Sequence, residues 1–214
     1  MGKLPDKSPD ADVTDFLSKV AATANPKAAG RKGRLVFALD ATASREPTWD
    51  RACHIQAEMF SETAALGGLE VQLLYYRGFG ECRASRWAAD APELLRLMTG
   101  VRCLGGQTQI RKVLTHAIRE SAKGKVDAVV FVGDAMEEDI DRLCHLAGEL
   151  GLLGAPVFLF HEGGDPIVRR AFEQIARLSG GAYCPFDSAS AQQLRDLLSA
   201  VAVYAAGGRQ ALLD

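Results

Sequence analysis

The sequence predicts an α/β protein with a doubly wound, mostly parallel sheet of six strands, one antiparallel edge strand, and helices on both faces. Three observations carry that expectation. Short runs rich in Val, Leu and Phe alternate with segments whose apolar residues recur every three or four positions, the pattern that builds parallel sheets. Runs such as "RLVFAL", "DAVVFVGD" and "APVFLF" are continuously apolar, as strands covered on both faces are. Two further strand-like runs, "LEVQLLYYRG" and "ECRASRW", lie too close together for a crossover helix and must form a hairpin around Gly78 and Gly80.

Taken in order, residues 1–33 read as an N-terminal extension, because Pro, Asp and Lys dominate the first ten and "NPKAAGRKGR" has linker composition. Between these, "DVTDFLSKVAATA" sets Phe16, Leu17, Val20 and Ala24 on one helical face. A stripe of that kind is expected to pack on the domain. The domain proper spans 34–205, and 206–214 forms a tail.

The strand "RLVFAL" precedes a helix from Trp49, marked by Ala52, Cys53, Ala57, Phe60 and Ala64 and ended by Gly67-Gly68. After the hairpin comes a short helix from Pro92 to Met98. "GGQTQI" then opens another, with Ile110, Val113, Leu114, Ala117 and Ile118 on one face. "DAVVFVGD" and "APVFLF" flank a helix carrying Ile140, Leu143, Cys144, Ala147 and Leu150. Val168, Ala171, Phe172, Ile175 and Leu178 mark the next helix, "GAYCPF" the last strand, and Leu194, Leu197, Leu198, Val201 and Tyr204 the closing helix.

Composition narrows the functions. With 214 residues, 48% of them hydrophobic, the chain buries one core without needing a second domain. Twenty-five Lys and Arg against 27 Asp and Glu create no global field towards nucleic acid or an anionic membrane. The basic cluster Arg31, Lys32 and Arg34 reads as solvated linker. Apolar stretches fall short of the ~20 residues of a membrane span, and the N-terminus lacks the apolar centre of a signal peptide, so a cytosolic setting is expected. Five widely spaced cysteines without a CxxC pair argue against a disulfide framework or thiolate zinc site, and most read as small buried hydrophobes. The four histidines lack HxH or HxxxH spacing. Neither GxGxxG after a strand nor GxxxxGK[ST] occurs.

The chemistry concentrates in "LDATAS", where Asp40 ends an apolar strand and Thr42 and Ser44 follow at alternate positions. Such a carboxylate with two hydroxyls can be a helix cap, a phosphoryl acceptor or part of an oxygen cage for a divalent cation. In an open α/β sheet the ligand site lies beyond the carboxyl ends of the strands, near the switch in strand order. That rule brings together "LDATAS", "GGQTQI" and "FVGDAMEE". Asp40, Thr42, Ser44, Thr108 and Asp134 offer the oxygen mixture that a hard cation such as Mg²⁺ accepts, and an extended segment turns residues two apart to one side.

Asp40-x-Thr42-x-Ser44, the threonine of "GGQT" and Asp134 after "VVFVG" together resemble the metal-ion-dependent adhesion site of von Willebrand factor A (VWA) domains, a Rossmann-like family. The resemblance covers Arg34 to Tyr204. It implies that Thr42 and Ser44 ligate Mg²⁺ or Mn²⁺ directly, that Thr108 binds directly or through water, and that Asp40 and Asp134 act largely through water. One coordination position is then left for an Asp or Glu carboxylate of a partner protein, which implies a scaffold or adaptor and no enzyme. Thr42 stands where serine is commoner, and Ala135 where glycine often follows the aspartate. Arg45 and Glu46 replace small or apolar residues, and in the acidic "MEED" continuation Glu137, Glu138 and Asp139 read as negative charge at a helix N-terminus. Two other readings stay open. The hydroxyls and carboxylates can cap helices in a metal-free fold, or Asp40 can serve as the nucleophile of a Mg²⁺-dependent phosphotransferase or phosphatase. The second lacks the aspartate that such sites usually hold at position 42.

Overall fold

The computed structural model describes residues 10–22, 32–42, 68–186 and 191–207. Six strands form one sheet: β1 (Gly33–Asp40), β2 (Leu69–Arg77), β3 (Glu81–Ala88), β4 (Ala128–Gly133), β5 (Val157–Glu162) and β6 (Tyr183–Phe186). Their spatial order is β3-β2-β1-β4-β5-β6. All neighbouring pairs are parallel except β2 with β3, the predicted edge hairpin. The chain therefore runs outward from β1 on one side and resumes at β4 on the other. The switch in strand order lies between β1 and β4.

Six helices are described: α1 (Asp10–Ala22), α2 (Ala91–Thr99), α3 (Ile110–Lys123), α4 (Ile140–Leu152), α5 (Pro166–Ser179) and α6 (Ala191–Gly207). Alternate residues of each central strand feed opposite cores. Leu35, Phe37 and Leu39 join Phe16 and Val20 of α1, Leu94 and Met98 of α2, and Leu197, Leu198 and Val201 of α6. Val36 and Ala38 join Ile110, Val113 and Leu114 of α3, Leu143 and Ala147 of α4, and Phe172 and Ile175 of α5. The expected helix from Trp49 lies outside the described residues. No described helix is long and apolar enough to cross a membrane.

The helix within the N-terminal extension is part of the core. Phe16 is fully buried, its ring edge-on to Phe158 at 6.0 Å and to Phe160 at 5.4 Å. Leu17, expected on the same face, is 38% exposed. At about 100° per residue it stands outside the arc that Phe16 and Val20 share. Leu178 of α5 is likewise exposed, because Ala176 and Ser179 take the inward positions.

Two other expectations are corrected. Arg34 is not a solvated linker residue: its guanidinium lies 4.0 Å from the centroid of the Trp87 ring and donates to the Gly124 carbonyl at 2.7 Å, because the side chain leaves a strand and crosses its neighbours. Of the four described cysteines only Cys184 is buried, the others being half-buried on the edge strand, on a loop and on the flank of α4. Burial still pushes the Cys82 thiol up to about 11, which leaves it protonated at neutral pH.

Candidate functional site

Asp40 ends β1 at the switch in strand order and is 2% exposed. Its Oδ1 accepts from the Thr42 backbone N–H at 2.8 Å, a local turn that folds Thr42 back over the strand end. Burial raises the Asp40 carboxyl above its ordinary range. Hydrogen bonds from Thr42 oppose that rise, whereas the nearby charge of Asp134 adds to it.

Thr108 stands two residues before α3 and is 8% exposed. Its backbone N–H donates to Glu137 Oε2 at 3.1 Å, and its Oγ1 accepts from the Glu137 N–H at 3.1 Å. This reciprocal pair ties the loop before α3 to the loop after β4. The preceding Gly105-Gly106 runs against the hairpin turn. A Cβ on Gly106 would stand 2.2 Å from the Gly78 carbonyl oxygen, so backbone meets backbone and only glycine fits. Leu104 N–H donates to the Ala41 carbonyl at 3.0 Å and Gln107 N–H to that of Gly78 at 3.2 Å. The loop is thus braced from both sides.

Asp134 follows β4 directly. Asp40, Thr42, Gly105, Gly106, Thr108, Asp134, Ala135 and Glu137 line one open cleft of about 230 Å³. Four of the five residues expected from the sequence therefore meet there, and Ser44 lies outside the described residues. Carboxylates, hydroxyls and backbone dominate the lining, and no Lys, Arg or His is among the described lining residues. Among the described residues no group of three or more His, Cys, Asp or Glu is placed to hold a metal ion. The donor set is instead one of carboxylates with hydroxyls, which suits a hard cation that retains waters. Thr108 Oγ1 spends one lone pair on the Glu137 N–H and keeps a second for a ligand.

Neither Glu137 nor Glu138 caps the helix that follows it; both reach the start of α3. Glu138 accepts from the N–H groups of Ile110 and, at 3.1 Å, of Arg111. It does so in place of Gln109, the N-cap residue, which makes no side-chain capping bond and sends its amide to the carbonyls of Arg77 and Gly78. Only Asp139 caps its own helix, accepting from Asp141 and Arg142. Glu137, in the cleft wall and bonded to Thr108, is the residue that sequence spacing missed.

A larger cleft of about 620 Å³ lies between α1, α5 and the approach to β6. Four of its charged residues pair with one another, Lys19 with Asp15 at 2.5 Å and Arg169 with Glu173 at 2.8 Å. Among the described residues, the carboxylates and hydroxyls of Asp40, Thr42, Thr108, Asp134 and Glu137 meet at the smaller one.

No family model matches the sequence, and no curated protein is significantly similar to it. Solved structures are informative. The chain is similar to the SpRpn10 VWA domain, at 14% identity with a TM-score of 0.60 over 78% of this chain and 94% of that one. The fold is that of a VWA domain. Proximal thread matrix protein 1 from the mussel byssus is also similar, at 19% identity and a TM-score of 0.63, over 82% of this chain and 47% of that one. The same mussel protein with a zinc-occupied MIDAS motif aligns at 14% identity and a TM-score of 0.59, covering 81% of this chain and 46% of that one. The chain thus spans nearly all of an isolated VWA domain and about half of the mussel protein. In this VWA fold the cleft occupies the carboxyl ends of β1 and β4, where open α/β sheets bind ligands.

Proposed function

We propose that this chain is a protein-binding VWA module that holds Mg²⁺ or Mn²⁺ through Asp40, Thr42, Ser44, Thr108 and Asp134 and captures an Asp or Glu side chain of a partner. The observation that supports this best is the convergence of Asp40, Thr42, Thr108 and Asp134 on one cleft. A bound ion would supply positive charge with one open coordination position for a hard oxygen ligand. The residues of the chain do the rest. Thr42 and Thr108 present hydroxyls without adding negative charge. Asp40 is held by the Thr42 N–H and, with Asp134, provides negative charge that stays largely behind water, so an incoming carboxylate meets incomplete neutralisation. Braced loops keep the hydroxyls and carboxylates in fixed relation before a partner arrives, which lowers the ordering cost of binding. No nucleophile or general acid is required, and the scaffold reading is preferred to phosphoryl transfer.

A pull-down from native extract with and without chelator tests the reading. Chelation should release the partner, and Mg²⁺ should restore it. Replacing the engaged Asp or Glu of the partner by Asn or Gln should abolish capture, because an amide oxygen is a poorer ligand for a hard cation. Partners retained in excess chelator would show that recognition runs through another surface.

A further inference from the structure

Metal and partner binding as described make no use of Tyr76, yet its hydroxyl is buried beneath the cleft. The β1–β2 register pairs Tyr76 with Asp40, so both side chains leave adjacent strands on the same face of the sheet. The Tyr76 side chain is fully buried, and its ring stacks on Phe131 with centroids 6.2 Å apart and planes 17° from parallel. A Cβ on Gly133 would come within 2.8 Å of the Phe131 ring and 3.9 Å of Asp40 Cβ, so this aromatic layer is packed directly against the strand ends that carry the cleft. The Tyr76 hydroxyl meets no partner at hydrogen-bonding geometry among the described residues. It lies close enough to Asp40 for the two groups to influence each other, and Asp134 and Glu138 also act on it. A phenylalanine would fill the same space without burying a polar atom, so the hydroxyl calls for a role.

We infer that Tyr76 is a positioning residue of the cation site, its O–H donating to the Asp40 carboxylate from below and fixing the direction in which that carboxylate faces the ion. The inference rests on the reading of the cleft as a divalent-cation site. Among carboxylates a phenol can act only as a donor. A donor anchored in a stacked aromatic layer orients an acceptor better than a mobile water does. Partners of this outer kind commonly change metal affinity by about ten- to a hundredfold.

The test uses Tyr76→Phe, which keeps the ring and its stacking. Calorimetric titration with Mg²⁺ and with Mn²⁺ should show affinity weakened about tenfold or more, with the circular-dichroism spectrum unchanged. A purely structural role would lower stability and leave the affinity of the folded protein intact. Separately, urea unfolding in chelator of Tyr76→Phe, Asp40→Ala and the double variant should show a non-additive pair, because each substitution removes the same bond. Additive effects would overturn the proposal. So would unaltered cation affinity in Tyr76→Phe, with the metal reading of the cleft left intact. If the unaltered chain binds neither ion, the metal reading fails and the positioning role fails with it, even where the two substitutions remain coupled.

Discussion

Asp40 reconciles burial with charge, and that conflict has a measurable signature. Its raised folded pKa means that ionisation destabilises the native chain when no cation is bound. Below the ordinary carboxylate value of about 3.9 both folded and unfolded chains hold the proton, and no penalty exists. The penalty grows as pH rises through the interval up to the raised folded value and is complete above it. In chelator, Asp40→Asn should therefore be more stable than the unaltered chain at neutral pH, and the advantage should disappear as pH falls through the carboxylate range. Asn keeps an oxygen for the Thr42 N–H, so the turn survives. Urea midpoints measured across pH check this, and an advantage independent of pH would remove burial of charge as its cause. The sequence shows Asp40, Thr42, Thr108 and Asp134 because each lies within two residues of the end of a strand or the start of a helix. It hides Tyr76 and Glu137, since nothing in "LLYYRG" separates a tyrosine that fills space from one that faces a carboxylate, and Glu137 meets Thr108 across 29 residues.

Helix α1 illustrates how packing decides the status of an element that composition marks as an appendage. Phe16 and Val20 are fully buried against β5 and α6. Phe16→Ala should accordingly cost about 3–5 kcal/mol in urea unfolding, the range for a buried aromatic, whereas a loosely attached helix would lose little. Helix α3 shows the opposite dependence, because its first turn is satisfied from outside. Glu138→Ala should remove the acceptor of the Ile110 and Arg111 N–H groups and cost about 0.5–2 kcal/mol, as the loss of an N-cap does. A stability unchanged within error would mean that water replaces the carboxylate there. Apolar periodicity located both helices. It placed Leu17 and Leu178 inward because spacing alone does not say how wide an arc each helix buries.

For the whole molecule, cation binding must be linked to stability if the site forms only in the folded state. Free Mg²⁺ at a hundred times its dissociation constant should stabilise the chain by about 2.7 kcal/mol, seen as a raised melting temperature that chelator reverses. Asp134→Ala should abolish most of that rise, and a melting temperature indifferent to the ion would argue for a metal-free fold. The architecture was legible in the sequence because a sheet covered on both faces writes its central strands as unbroken apolar runs and its edge as a hairpin. "RLVFAL" and "VVFVG" are the inner pair, and "ECRASRW" carries the charges of an edge. The bracing of the site was not legible, since contacts such as Gly106 against Gly78 join loops whose approach is set only once the sheet has assembled.

The borrowed cap of α3 makes the amide hydrogens at its start report on the loop that follows β4. Ile110 and Arg111 hold their hydrogens against the Glu138 carboxylate, and burial makes it take up a proton at a higher pH than an ordinary glutamate. Mild acid should therefore lower the exchange protection of these amides while Leu114 and Ala117, held by helix carbonyls, keep theirs. Anything that draws Glu138 away from the start of α3 would leave the same trace, a change in deuterium uptake confined to one helical turn and visible without knowing what has bound.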